Sequence, residues 1–347
     1  MLPPSRLKQA SAALLPVVAA LALLAVMAEI VTRFVNRSGA IYDVEMYRYS
    51  RTLKEDAPAE ARAMHHWHRA NAEAVLQGVS IRTNALRMRD KPREATKAPG
   101  VTRVLVVGDS ITLGWGVPQD RTYSAVLDSR LSERGVGAYE VMNAGVGNYT
   151  LSRMVGYYDF ALRKLNADTV VLAFYLTNAS REQESSMSRV LDTPLQFPVF
   201  LWSRGLRAYA RFSKAASFKD FYLNLYRDGE PEYETFKGQL RDFVTSLRTE
   251  KRNVLLVNVP DVRYASQGPY PFQPISDRVL AIGRDAGAQT VDLLASVRDL
   301  PPSVAVNSEE DRHPAAVAHE RFADDILQSL RASGFVSLRP VPTEKQP

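Results

Sequence analysis

From Arg103 onward the sequence alternates short apolar runs with longer segments of helical period, and few folds accept that rhythm. Arg103–Val107, Tyr139–Met142, Thr169–Phe174, Asn253–Val259 and Gln289–Leu293 read as strands. Arg121–Arg134, Leu151–Leu165, Glu232–Arg252, Ile275–Ala286 and Ala315–Ala332 read as helices. Runs such as Val104-Leu-Val-Val107 lack the polar alternation of a half-exposed strand, so both faces of the sheet are expected to be covered. Strand–helix alternation then predicts an α/β fold: a three-layer α/β/α sandwich around a mainly parallel five-stranded sheet.

A second constraint lies at the start. The nineteen residues Ala10–Ala28 carry no charge and are interrupted only by Ser11 and Pro16. At 1.5 Å rise per residue such a helix nearly spans a hydrocarbon core of about 30 Å. A polar stripe, which a core helix would show, is missing. Arg6 and Lys8 precede the run, and acids offset the arginines behind it. The positive-inside rule then makes 1–9 a cytoplasmic tail, 10–32 a transmembrane signal-anchor, and everything beyond extracytoplasmic. A cleaved signal peptide ending at Val26-Met-Ala28 is the competing reading.

Charge sharpens this division. Residues 1–100 hold 15 Lys and Arg against 9 Asp and Glu, whereas the remainder holds 29 of each. A nucleic-acid role would require a basic face on the main domain, and that domain sums to zero. The chain has no cysteine, which removes disulfides, thiolate metal sites and a cysteine nucleophile. Residues 33–100 read as an extension or stalk, helix-like near Val44–Lys54 and Glu60–Leu76. Residues 101–338 read as the main domain and 339–347 as a disordered tail. The aromatic stretch 183–227 reads as an insert that either covers the site or binds substrate, or merely packs.

Four segments place reactive side chains at the strands' C-terminal edge, where open α/β sheets bind ligands. Val106-Val-Gly-Asp-Ser-Ile111 puts Ser110 just past the first strand. Asn143–Thr150 is rich in residues that tolerate left-handed backbone. Asn178 follows the third strand. Glu309-Glu-Asp-Arg-His313-Pro314 precedes the last helix, so Asp311 and His313 are able to face one site. Of five histidines, His65, His66 and His68 lie in the extension, and His319 lies inside the last helix, where a surface or capping role is the default. His65 and His68 would share a helix face, a weak metal motif without an acidic cluster; a polar packing surface is the better reading. The glycines at 108 and 114 are not followed by Lys-Ser/Thr, so no phosphate loop is present.

In this order, Gly108-Asp-Ser110, the Asn143–Thr150 loop, Asn178 and Asp311-x-His313-Pro314 resemble the four blocks of the SGNH (GDSL-like) hydrolase superfamily, over about residues 101–335. Asn84–Asp90 is similar to a stretch that precedes the nucleophile strand in membrane-anchored bacterial members. The resemblance implies a flavodoxin-like sandwich with Ser110 as nucleophile, His313 as general base and Asp311 orienting it. It implies an oxyanion hole made by the Ser110 N–H, a backbone N–H of the 143–150 loop, and the Asn178 side chain. Asn148 stands where the family usually has glycine, and Gly145 and Gly147 are alternative donors. Ala179 replaces the usual aspartate after Asn178. The family's acid commonly lies three before the histidine, where this chain has Glu310; Asp311 lies two before, a spacing also found in the superfamily. No cofactor or metal is implied.

The expected protein is thus an extracytoplasmic serine esterase that hydrolyses O-acyl or O-acetyl esters of a carbohydrate or lipid through an acyl-enzyme at Ser110. Two alternatives remain: an O-acyltransferase acting on exported polysaccharide, and a non-catalytic envelope binding or assembly component. The acyl substrate is a small molecule or a polysaccharide, and the membrane is the other expected partner.

Overall fold

The computed structural model describes residues 4–180, 191–212 and 217–339. Ahead of the main sheet lie two hairpins: β1 (Lys54–Asp56) with β2 (His66–His68), and β3 (Glu73–Leu76) with β4 (Val79–Arg82). The sheet itself comprises β5 (Val101–Gly108), β6 (Ala138–Gly145), β7 (Thr169–Phe174), β8 (Asn253–Asn258) and β9 (Gln289–Asp292). Their order is β6-β5-β7-β8-β9, and every neighbouring pair is parallel. This is the predicted five-stranded sheet. The apolar runs explain it: Val104–Val107, Val170–Leu172 and Val254–Val257 are at most 1% exposed, as strands covered on both faces must be. The chain runs out from β5 to β6 and returns across β5 to β7. That reversal opens a crevice at the C-terminal ends of β5 and its neighbours.

Helices cover the sheet where helical period was read. Tyr123–Arg134 starts one residue after Thr122, whose hydroxyl accepts the Ala125 N–H. Pro231–Thr249 begins with proline in its first turn and buries Tyr233, Phe236, Leu240, Phe243, Val244 and Leu247 on one face. Gln273–Asp285 and Ala316–Ala332 complete the expected set. Leu151–Leu165 is not one uniform helix. It is α-helical over Leu151–Tyr157, π-helical over Tyr158–Leu162 and 3-10 over Arg163–Leu165, ending at Asn166 with φ 51°.

The extension departs from its helical reading. Tyr42–Leu53 is a helix, but Ala59–Met64 is a 3-10 turn and the chain beyond it is strand and tight turn. Gln77 and Gly78 both have positive φ, which suits a two-residue hairpin joining β3 to β4. Glu60–Leu76 has helix-forming residues, yet packing decides: Met64, His66, His68 and Leu76 are buried. His65 and His68 consequently share no helix face.

Contacts divide the chain into two units: Met1–Arg48 with Glu184–Ala215, and Tyr49–Gln183 with Ala216–Pro347. The sequence reading places its boundary near residue 100 and keeps 183–227 as one insert. In the first unit, helix Pro4–Val35 has an apolar stretch of mean hydropathy 2.3 within Leu15–Ser38, long enough to cross a membrane. Leu15, Leu21, Leu24 and Ile30 are more than half exposed, unlike the side chains of a core helix. Helix Gln196–Phe212 starts on this helix: the Gln196 and Phe197 N–H groups donate to the Glu29 carboxylate at 2.8–3.0 Å. Val199 packs on Ile41, Val44 and Tyr47. In the second unit, Tyr222 and Tyr226 of the aromatic stretch pack into the core, Tyr226 against Phe174, Tyr233 and Phe236. The tail from 340 and residues 183–190 and 213–216 of the proposed insert lie outside the described residues.

Leu256, at the centre of β8, is fully buried. Leu256→Ala should cost about 2–5 kcal/mol, read as a lowered urea midpoint with unchanged slope.

Candidate active site

β5 ends at Gly108, where a side chain has no room: a Cβ there would fall 1.9 Å from Thr112 Oγ1. The chain turns at Asp109, whose carboxylate caps the following short helix by accepting the Ile111 N–H at 2.9 Å. Ser110 is the first residue of that helix, Ser110–Leu113, and its N–H has no intrahelical partner. Asp109 is buried, and burial pushes its carboxyl above the ordinary value, opposed by the Ile111 N–H.

The loop before the last helix brings His313 to Ser110. His313 Nε2 lies 2.8 Å from Ser110 Oγ, and Nδ1 lies 2.6 Å from Asp311 Oδ1. The same carboxylate oxygen accepts the His313 N–H at 3.1 Å, which closes the Asp-x-His turn. A carboxylate only accepts, so Nδ1 carries hydrogen and a neutral His313 offers the Nε2 lone pair to Ser110. Glu310 is exposed, and Asp311, 1% exposed, is the acid at Nδ1. The loop is pinned to the serine side by Asn307, whose Nδ2 donates to Trp115 O at 2.8 Å. Gly116, at φ 74°, leaves space for it: a Cβ would stand 2.4 Å from Asn307 Nδ2 and 3.3 Å from Asp311 Oδ2.

The three candidate donors in the 143–150 loop are not equivalent. Gly145 N–H donates to Asn143 Oδ1 at 3.0 Å, and Gly147 N–H donates to Tyr49 Oη at 2.9 Å. The Asn148 N–H has no acceptor among the described residues, and Asn148 stands at φ 69°, a conformation asparagine tolerates. Asn178 is 3% exposed beside them. Its Nδ2 donates to Asp109 Oδ2 at 3.2 Å and to Tyr149 O at 3.1 Å, and its Oδ1 accepts the Tyr175 N–H. Both its amide hydrogens are thus engaged, through long bonds. A cavity of about 230 Å³ opens beside Asn178, with Ser152, Ser180, Glu232, Thr235 and Gln239 on its walls.

Sequence reasoning missed the groups behind this loop. Arg89, 1% exposed, donates to the carbonyls of Leu113, Gly114 and Val117 at 2.5–2.9 Å. It has no carboxylate partner among the described ion pairs, and burial lowers it to about 10. Lys54, Tyr49, His66, His68 and Arg153 surround Gly147 and Asn148. The Asn84–Asp90 segment and the His65–His68 cluster were the available signals. No group of three or more potential metal ligands occurs among the described residues. His319 is not on the surface: it is fully buried, stacks on Tyr123 and accepts the Tyr123 N–H through Nδ1 at 3.1 Å.

A sequence profile of the GDSL-like lipase/acylhydrolase family matches residues 106–321. Among solved structures, the lipase/acylhydrolase from Enterococcus faecalis is similar at 14% identity and a TM-score of 0.44, spanning 69% of this chain and 100% of that one. A catalytic mutant of Axe2, an acetylxylan esterase from Geobacillus stearothermophilus, is similar at 17% identity and a TM-score of 0.43, spanning 66% and 94%. No curated protein matches the sequence.

Two expectations follow. Asp311→Asn should lower kcat by about 10³–10⁴ by allowing the wrong imidazole tautomer, whereas Glu310→Gln should change it less than about threefold; steady-state ester hydrolysis checks both. His319 must stay neutral to accept the Tyr123 N–H, and burial lowers it to about 3 from an ordinary 6.5. The unfolded chain therefore binds a proton that the folded state refuses. Stability should fall by about 1.4 kcal/mol per pH unit for this group as pH drops below 6.5. Urea midpoints at neutral and mildly acidic pH should converge in His319→Gln relative to the parent.

Proposed function

The chain belongs to the GDSL-like lipase/acylhydrolase family, and from that premise we propose that this ester-bond hydrolase is a serine esterase working through an acyl-enzyme at Ser110. One observation carries the reading: an unbroken relay from Ser110 Oγ to His313 Nε2, and from His313 Nδ1 to Asp311, at 2.8 and 2.6 Å. His313 takes the serine proton as Oγ attacks the ester carbonyl. Asp311 holds the tautomer and stabilises the imidazolium that forms. The Ser110 and Asn148 N–H groups bind the developing oxyanion. Asn178 joins them by shifting an amide hydrogen from its long bond to Asp109 or Tyr149. The alcohol leaves with the proton from His313, and water then repeats the sequence on the acyl-serine.

The cavity beside Asn178 sets hydroxyl, amide and carboxylate groups next to Ala179, Pro231 and Phe236, a mixed lining of about 230 Å³ that suits a short acyl group on a hydroxylated carrier. A short acyl ester on a carbohydrate fits that lining better than a long-chain lipid. Helix Pro4–Val35 serves as the membrane anchor in this reading and leaves the hydrolase domain outside the cytoplasm. Its exposed leucines support the anchor, and Arg6 and Lys8 ahead of its apolar run support that orientation.

Ser110→Ala should abolish both hydrolysis of p-nitrophenyl acetate and labelling by a fluorophosphonate probe, with thermal unfolding unchanged. Undiminished hydrolysis in that variant would overturn the serine assignment. Acetylated xylo-oligosaccharides should outperform p-nitrophenyl palmitate as substrates. Acyl transfer to an added sugar at the expense of hydrolysis would instead identify a transferase.

A further inference from the structure

We propose that Lys54 and His66, both from the extension ahead of the sheet, orient and polarise the Asn148 N–H, and so act as positioning residues for the oxyanion hole. The proposal rests on the serine-esterase reading. Its basis is one peptide unit. The Gly147 carbonyl accepts from Lys54 Nζ at 2.7 Å and from His66 Nε2 at 3.0 Å, which occupies both of its lone pairs. That carbonyl and the Asn148 N–H belong to the same planar trans peptide, so they point in opposite directions. Fixing the carbonyl toward the extension fixes the N–H away from it. An ammonium on the oxygen also draws electron density along the amide, which strengthens the N–H as a donor.

The flanking peptides are tied as well. Gly147 N–H donates to Tyr49 Oη at 2.9 Å, Tyr49 donates to His68 Nε2 at 2.7 Å, and His68 Nδ1 donates to the Arg87 carbonyl at 3.1 Å. The direction of this chain follows from its end, since a carbonyl only accepts. Beyond Asn148, Arg153 Nη1 donates to the Asn148 carbonyl at 2.8 Å. Tyr149 Oη donates to the His66 carbonyl, which ties the loop to β2. The loop that carries the donor is therefore held from the extension on both sides of Gly147 and by Arg153 at the Asn148 carbonyl. The His65–His68 cluster thus gains a role that is neither metal binding nor generic packing.

Lys54 stands among the Tyr49 ring, 4.6 Å from Nζ, and His66, His68 and Arg153, with no carboxylate partner among the described ion pairs. Burial and the Arg153 guanidinium push Lys54 down to about 7. Burial also lowers His66, which keeps it a neutral Nε2–H donor. The ammonium is present below about 7 and lost above it, so polarisation should weaken as pH rises through neutrality.

The test is steady-state hydrolysis of p-nitrophenyl acetate by the full chain across neutral pH, for the parent, Lys54→Met, Lys54→Arg and His66→Gln. Losing one oxyanion donor outright costs about 10²–10³ in rate, so losing its polarising partner in Lys54→Met should lower kcat about tenfold, with KM within about twofold. The parent's kcat should fall as pH rises above about 7, and Lys54→Met should lack that limb. Lys54→Arg keeps a charge at every pH and should retain parental kcat with no alkaline fall. His66→Gln retains a donor and should stay within about threefold. A folded Lys54→Met with parental kcat, or one that keeps the parental alkaline fall, overturns the proposal. If Lys54→Met does not fold, Lys54→Arg decides: a folded variant without parental rate, or with the alkaline fall intact, overturns it. Hydrolysis surviving in Ser110→Ala would defeat the esterase reading instead, and the two failures are thereby distinct.

Discussion

Gly108 and Gly145 face each other across the parallel pair β5 and β6, and neither has room for a side chain. A Cβ at Gly145 would fall 2.2 Å from Leu113 N, and one at Gly108 would overlap Thr112. The close approach seats the helix Ser110–Leu113 directly on the sheet's C-terminal edge. Asn143 binds the same helix from the side, donating to the Thr112 carbonyl at 2.9 Å. The serine is therefore placed by backbone-to-backbone packing, and its position does not depend on a flexible loop. His313 and Asn178 arrive at this edge from chain segments far away in sequence, one before the last helix and one beyond β7.

Positive charge collects behind the site in an unusual way. Arg89 and Lys54 sit on backbone carbonyls, with no carboxylate partner among the described ion pairs. A buried guanidinium paired with an acid would be neutralised locally, whereas one held by peptide dipoles leaves more of its field for the surroundings. Such a field favours a reaction in which negative charge develops on a substrate oxygen. Both come from residues ahead of the sheet. From Tyr49 onward the extension lies in the same compact unit as the sheet.

Much of the architecture was legible because its signals are local. Val104–Val107 and Thr169–Phe174 are apolar on both faces, and no fold but a covered sheet accommodates them. Thr122 and Pro231 mark helix starts through the chemistry of single turns. Ser110 and His313 stood out as loop residues at one edge of that sheet. Legibility ended where neighbours came from elsewhere in the chain. Glu60–Leu76 has helix-forming composition, yet it folds as turn and strand because His66 and His68 are buried in tertiary contacts.

The sequence by itself determined the covered parallel sheet, the apolar N-terminal helix and the order of the polar loops, since each follows from residues adjacent in the chain. Only the tertiary structure decided which acid meets His313 and which amide of the 143–150 loop stays open. Glu310 and Asp311 differ by one position, but the Asp-x-His turn lets one carboxylate oxygen reach both the Nδ1 and the backbone N–H of His313. Gly145, Gly147 and Asn148 are all able to bear a free N–H, until Asn143 and Tyr49 occupy two of them. Hydrogen-bond partners more than a few residues apart are set by how elements pack, and no local periodicity encodes that choice.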